Sequence, residues 1–249
     1  MMTSALKIGY CGFPTSQRKY YAEFQLVEIQ RTFYQLPRPS TAERWRTSAP
    51  QNFEFTLKAW QGVTHPAGSP TYRKARLDLP AERQKYLGHF QPTDEVHAAW
   101  RDTLQIAAIL QAAVIVLQCP PGFTETEENI RNLSDFFRNV PHKAFKVAIE
   151  FRAPWKKTTI RDICRNFGLI HCVDPFREAP LWNGIRYYRL HGAPPGKRMY
   201  HYQYQQADFQ FLATKINSDL QNKQTVYCLF NNMQMWDDAR TFKNHMGCE

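Results

Sequence analysis

The sequence predicts an α/β fold of the TIM-like (β/α)8 barrel type, in one domain over residues 1–249. Three observations lead there. Eight short runs rich in Val, Ile, Phe and Tyr recur along the chain, with the length and composition of strands. Most connections between them can supply the crossover of about a dozen residues that parallel strands need, and several carry a helical repeat of apolar positions. No GxGxxG turn follows the first run, which counts against a doubly wound dinucleotide-binding sheet.

The expected strands cover residues 7–12, 26–34, 53–59, 113–119, 145–151, 169–174, 185–191 and 225–231. The second alternates along its length. Val27, Ile29, Arg31 and Phe33 share one face, and Glu28, Gln30, Thr32 and Tyr34 the other, because strand side chains have period two. Helices are expected at 16–23 and 40–47, both short, and then at 96–111, 127–138, 157–167, 208–219 and 237–245. Thr93-Asp94 offers a cap before the third of these, and Gly168 a stop after the fifth. Two connections are unusually long, 60–95 and 192–207. Long connections in compact domains often carry lids or binding loops.

Composition narrows the function classes. Hydrophobic residues make up 43% and aromatics 14%, enough for a folded core and too much for a disordered chain. The formal net charge of +10 suits anionic partners, whether small molecules or nucleic acid, although it also serves solubility. Cysteines at 11, 119, 164, 172, 228 and 248 form no CxxC pair. They read as reduced, mostly buried thiols of a cytoplasmic protein. No secretory leader is evident. No apolar run approaches the roughly 18 residues of a membrane helix, so no membrane partner is expected.

Polar residues sit late in the apolar runs. They are Glu28 and Gln30; Lys58, which shares a face with Glu54 and Thr56; His65; Gln118; Glu150 and Arg152; Asp174; Tyr187, Arg189 and His191; and Asn231 and Asn232. In a barrel of this type the chemistry lies at the C-terminal ends of the strands. Each residue alone has an ordinary reading: Asp174 before Pro175 as a turn former, Glu150 with Arg152 as a structural ion pair. Together they are costly to desolvate unless paired or used. Lys58, Arg152 and Arg189 are expected to hold an anion. Glu150, His191 and Asp174 form the expected catalytic set, with Glu150 as general base and His191 as acid or base. His65, Glu150, Asp174 and His191 are also metal-ligand types, but no HxH or HExxH spacing marks them, so a divalent metal is a minor alternative. Two loops interleave aromatics with cations: Tyr72, Arg73, Lys74 and Arg76, and Lys197 to Tyr204. Such loops can stack bases and hold phosphates or simply pack on a rim.

Six ordered motifs carry a resemblance. They are VEIQRTFYQLP at 27–37, FEFTLKAWQGVTH at 53–65, LQCPPGF at 117–123, IEFRAPW at 149–155, RLHG at 189–192 and FNN at 230–232. On these the chain resembles the YecE-like family of the domain of unknown function 72. The resemblance implies a TIM-like barrel and a nucleic-acid or phosphorylated ligand. It carries a site over to Glu28, Lys58, His65, Gln118, Glu150, Arg152, Asp174, Arg189, His191 and Asn231 or Asn232. Gln30 departs from the family's Asn, and Cys11-Gly12-Phe13 from its Ser-Gly-Trp. The expected function is therefore to bind, and turn over, a phosphate-bearing ligand such as a phosphodiester, nucleotide or sugar phosphate. The alternative is a non-catalytic nucleic-acid or nucleotide binder.

Overall fold

A computed structural model of the protein describes residues 5–13, 15–75, 79–140, 144–182, 184–193 and 198–248. Arg76 and Lys197, read above as loop cations, lie outside the described residues. In chain order the elements are β1 (Leu6–Cys11), α1 (Gln17–Glu23), β2 (Leu26–Ile29), α2 (Arg31–Tyr34), α3 (Pro39–Ser48), β3 (Glu54–Lys58), α4 (Ala81–Gln84), α5 (Asp94–Leu110), β4 (Val114–Gln118), α6 (Glu127–Asn139), β5 (Lys146–Glu150), α7 (Lys157–Phe167), β6 (Ile170–Val173), β7 (Arg186–Leu190), α8 (Gln206–Gln221), β8 (Val226–Phe230) and α9 (Met235–His245). The strands form a closed barrel in sequence order. No helix among the described residues is long and apolar enough to cross a membrane.

Local chemistry sets the helix ends. Thr93 accepts the Val96 N–H on its hydroxyl at the start of α5, where Asp94 and Glu95 occupy the first turn. Such a cap satisfies an orphan donor, and the acids suit the positive end of the helix. Ser16 and Thr126 cap α1 and α6 in the same way. Gly168 stops α7 in the left-handed region at φ 67°, a conformation that a Cβ disfavours.

One expected strand is shorter than its alternation suggests. β2 ends at Ile29, and Arg31–Tyr34 is a helical turn. The Thr32 hydroxyl lies 2.9 Å from the Ile29 carbonyl and 2.6 Å from that of Lys58. Those contacts fold the chain over instead of extending it. Gln30 has helical backbone, so it does not continue the face of β2 that carries Glu28.

Residues 1–28 with 170–249 form one compact unit, and 29–169 a second. In the first unit Cys11 pairs with Glu28, Tyr187 with both Cys172 and Tyr227, and Arg189 with Leu229. Partners in a parallel ladder share a face, so Cys11, Glu28, Tyr187 and Arg189 lie on one side. Tyr10, Val27, Tyr188, Leu190 and Phe230 lie on the other. Tyr10 there meets Tyr20, Phe24 and Trp236 edge to face. In the second unit Lys58 pairs with Val116 and Gln118 with Glu150. Thr56, Lys58, Gln118 and Glu150 therefore share a face, opposite Phe55, Leu57, Leu117 and Ile149. The helical layer of this unit is anchored by Trp100 and by Phe90, Phe123, Phe136 and Phe137, all buried and in mutual ring contact.

Gly9 allows β1 to lie against β2. A Cβ there would stand 2.2 Å from the Leu26 carbonyl oxygen. Gly9→Ala should therefore destabilise the fold by about 1–3 kcal/mol, the usual cost of forced overpacking, read from urea unfolding. A change within about 0.5 kcal/mol, typical of a neutral surface site, would contradict this packing.

Candidate functional site

In the second unit, Lys58 ends β3 with its ammonium 3.5 Å from the centre of the Phe33 ring. The ring quadrupole attracts a cation placed there. Phe33 also meets the His65 ring edge to face at 4.9 Å. His65 sits on a tight turn, its N–H donated to the Gln61 carbonyl at 2.8 Å and its Nδ1 2.8 Å from the Thr64 hydroxyl. Burial, then the nearby Lys58 charge, then His89 push its pKa down to about 3. His65 is thus a neutral imidazole near pH 7.

Glu150, at the end of β5, binds Arg152 at 2.7 Å. The Arg152 side chain is 14% exposed, the most open of the three expected anion-binding cations; Lys58 and Arg189 are buried. Gln118 is half-buried beside Glu150 in the ladder. The Cys119 thiol is pushed up by burial and by the Glu150 charge. Of the expected nucleic-acid loop, Tyr72 is buried and donates its hydroxyl to the His65 carbonyl at 3.0 Å. Its ring is therefore a packing element and offers no stacking face. Arg73 and Lys74 remain exposed.

In the first unit, Glu28 and Arg189 are paired at 3.0 Å with side chains 0% and 1% exposed. Tyr187 donates its hydroxyl to the second Glu28 oxygen at 2.8 Å. The Cys11 thiol lies 3.4 Å from Glu28 and 4.0 Å from Arg189. Burial first and the Glu28 charge second raise its pKa well above the ordinary thiol value, so it is a protonated donor and no nucleophile. All six cysteines are free, five of them buried.

Asp174 follows β6 and His191 follows β7. One Asp174 oxygen accepts the His191 backbone N–H at 3.0 Å and lies 3.5 Å from its ring Nδ1. The other accepts the Phe176 N–H at 3.1 Å. The connection after β7 then folds back. Gly192 has φ 94°, and a Cβ on it would stand 2.2 Å from the Met199 carbonyl oxygen. Tyr204 accepts the Gly192 N–H at 2.9 Å, and the Tyr200 ring meets His191 at 5.9 Å. Asn232 donates to the Tyr202 carbonyl at 2.7 Å and to Asp238 at 2.6 Å. That amide ties the connection after β7 to the start of α9. Asn231, half-buried, donates its backbone N–H to the Leu190 carbonyl at 2.8 Å.

The expected residues thus form local sets: Lys58 with Phe33 and His65, Glu150 with Arg152, Glu28 with Arg189, and Asp174 with His191. Among the described residues no group of three or more His, Cys, Asp or Glu is placed to hold a metal ion. Sequence reasoning did not single out Gln61 or His89, whose buried side-chain amide and Nε2 have no hydrogen-bond partner among the described residues; both lie in the long 60–95 connection, which has no repeat to read. It also missed Tyr204 as a backbone anchor.

Two outcomes follow from these geometries. Arg189→Met should cost about 3–5 kcal/mol, because it strands a buried carboxylate. The double variant Glu28→Met with Arg189→Met should recover most of that loss in urea unfolding, and no recovery would contradict a locally neutralised pair. The His65 pKa is lowered on folding, so between its ordinary 6.5 and about 3 the unfolded chain binds the extra proton. Stability should then fall as pH drops through that window. His65→Asn should show a flatter decline across it; an unchanged slope would contradict a buried neutral imidazole.

Sequence comparison matches residues 14–249 to the family described as "Protein of unknown function DUF72". The UPF0759 protein YunF of Bacillus subtilis (strain 168) is 26% identical over 259 residues, covering 90% of this chain and 84% of that protein. A DUF72 family protein from Thermotoga maritima superposes with a TM-score of 0.72 at 20% identity, covering 98% of this chain and 99% of that one. Endonuclease IV from Thermus thermophilus superposes with a TM-score of 0.55 at 13% identity, covering 97% and 99%; at that identity the likeness is one of fold. With the barrel, the motif residues and the family match in agreement, this chain belongs to the DUF72 family.

Proposed function

We propose that the protein binds a phosphate-bearing ligand, a phosphodiester, nucleotide or sugar phosphate, through Lys58 and Arg152 of the second unit, and turns it over. The observation that carries this reading is the shared face of three neighbouring strands. Lys58 on β3, Gln118 on β4 and Glu150 on β5 project to the same side, and Arg152 is held on Glu150 at 2.7 Å. Lys58 and Arg152 are the proposed anion-holding cations, and the neutral His65 adds no charge. A dianionic phosphate gains from both cations and from the amide donors of Gln118. Arg189 is given no direct role, because its Nη2 pairs with the buried Glu28 at 3.0 Å.

Glu150 is the proposed general base. A carboxylate that shares its charge with an arginine can take a proton from an attacking hydroxyl while the guanidinium steadies the anion. Asp174 and His191 of the first unit are proposed as an acid–base pair in their own right; Asp174 accepts the His191 backbone N–H at 3.0 Å and lies 3.5 Å from its ring Nδ1. The fold likeness to an endonuclease agrees with a phosphodiester but carries no residue roles. The competing reading, a non-catalytic nucleic-acid binder, draws on the exposed Arg73 and Lys74. It is weakened by the burial of Tyr72.

Calorimetric titration with inorganic phosphate and a short oligonucleotide tests these readings. Lys58→Met should weaken phosphate binding by about tenfold or more, the scale of one charge-assisted contact. Unchanged affinity would refute the assignment. If the nucleic-acid reading holds instead, oligonucleotide affinity falls steeply with salt and drops further in Arg73→Ala with Lys74→Ala. Once a substrate is identified, Glu150→Gln should retain binding and lose turnover, whereas unchanged turnover removes Glu150 from the mechanism.

A further inference from the structure

The connection between β3 and α5 contains a costly piece of backbone. Gly88, His89 and Phe90 follow one another at φ 85°, 51° and 52°. Left-handed backbone is natural for glycine and strained for the other two. The run is laced to the turn that carries His65. Gly88, His89 and Phe90 donate their N–H groups to the carbonyls of Gly62, Thr64 and Val63 at 2.8, 3.2 and 3.0 Å. The approach is close enough that a Cβ on Gly88 would stand 2.3 Å from the His65 carbonyl carbon.

Packing explains Phe90. Its ring is buried and meets Phe123 and Phe136, each at 5.3 Å. It does not explain His89. That imidazole tilts against Phe123 at 5.4 Å, and its Nε2 is buried with no hydrogen-bond partner among the described residues. The residue therefore bears both a left-handed backbone and a desolvated ring nitrogen, and that nitrogen has no hydrogen bond among the described residues to offset its burial. Groups held at such cost gather at ligand sites. His89 also influences the ring of His65, which is itself beside Lys58.

We propose that His89 is a ligand-contacting residue of the Lys58–His65 cluster, its Nε2 donating to an oxygen of the bound phosphate group. The inference rests on the anion-binding reading given above. The residue is only partly buried, and rotation about its Cβ–Cγ bond would carry Nε2 out of its sealed position. Burial keeps the ring unprotonated. It therefore offers one N–H donor and brings no charge to compete with Lys58.

The test pairs thermal stability with calorimetric titration of inorganic phosphate, in the wild type, His89→Gly, His89→Asn and Lys58→Met. Glycine relieves the strain at this φ, and asparagine tolerates it better than most residues. The expected result is a melting temperature in His89→Gly that is unchanged or higher, with phosphate affinity reduced about tenfold in both His89 variants. Wild-type affinity in either folded variant overturns the proposal and leaves the anion site standing, provided that Lys58→Met still loses binding. If His89→Gly loses stability as well as affinity, His89→Asn decides. Weaker binding in a fully folded His89→Asn protein supports ligand contact, and restored binding shows a structural role only. No phosphate binding by the wild type would bring down the anion reading, and this inference with it.

Discussion

The Glu28 carboxylate has no exposure to solvent, and neighbours on its own face of the sheet answer it. Arg189 supplies the opposite charge, Tyr187 a hydroxyl and Cys11 a protonated thiol. An isolated buried carboxylate would be expensive, so the strand ends of the first unit depend on this local neutralisation. The same constraint recurs wherever the strands end in charge. Asp174 is met by backbone N–H groups from His191 and Phe176, and Glu150 by Arg152.

Lys58 and Arg189 looked alike in sequence. In the fold the Lys58 ammonium lies over the Phe33 ring, whose quadrupole attracts a cation, and the Arg189 guanidinium pairs with Glu28 at 3.0 Å.

Much of the fold was legible because its signals are local. Capping at Thr93 and the stop at Gly168 act within one helical turn, and the apolar runs at 113–119 and 145–151 contain β4 and β5 with a one-residue margin at each end. The face assignments of Lys58, Glu150 and Arg189 follow from period two alone. The run 26–34 misled because its alternation continues past Ile29 while the Thr32 hydroxyl turns the chain. Site residues were legible as residue types but not as partners. Asn232 reads as a ligand-type amide in a motif, yet it serves to hold the Tyr202 carbonyl and Asp238. Tyr72 reads as a stacking ring, yet its hydroxyl is tied to His65. His89 gave no sequence signal, because left-handed backbone at 88–90 is imposed by contacts with 62–65 that only the folded chain contains.

A crystal structure of the protein grown or soaked with inorganic phosphate would test the central claim most directly. The account predicts an ordered phosphate within hydrogen-bond distance of Lys58 Nζ and the Arg152 guanidinium, with the Glu28–Arg189 pair undisturbed. Phosphate density that bridges Arg189 while Lys58 stays on the Phe33 ring without it, or no density at either cation under saturating phosphate, would contradict it.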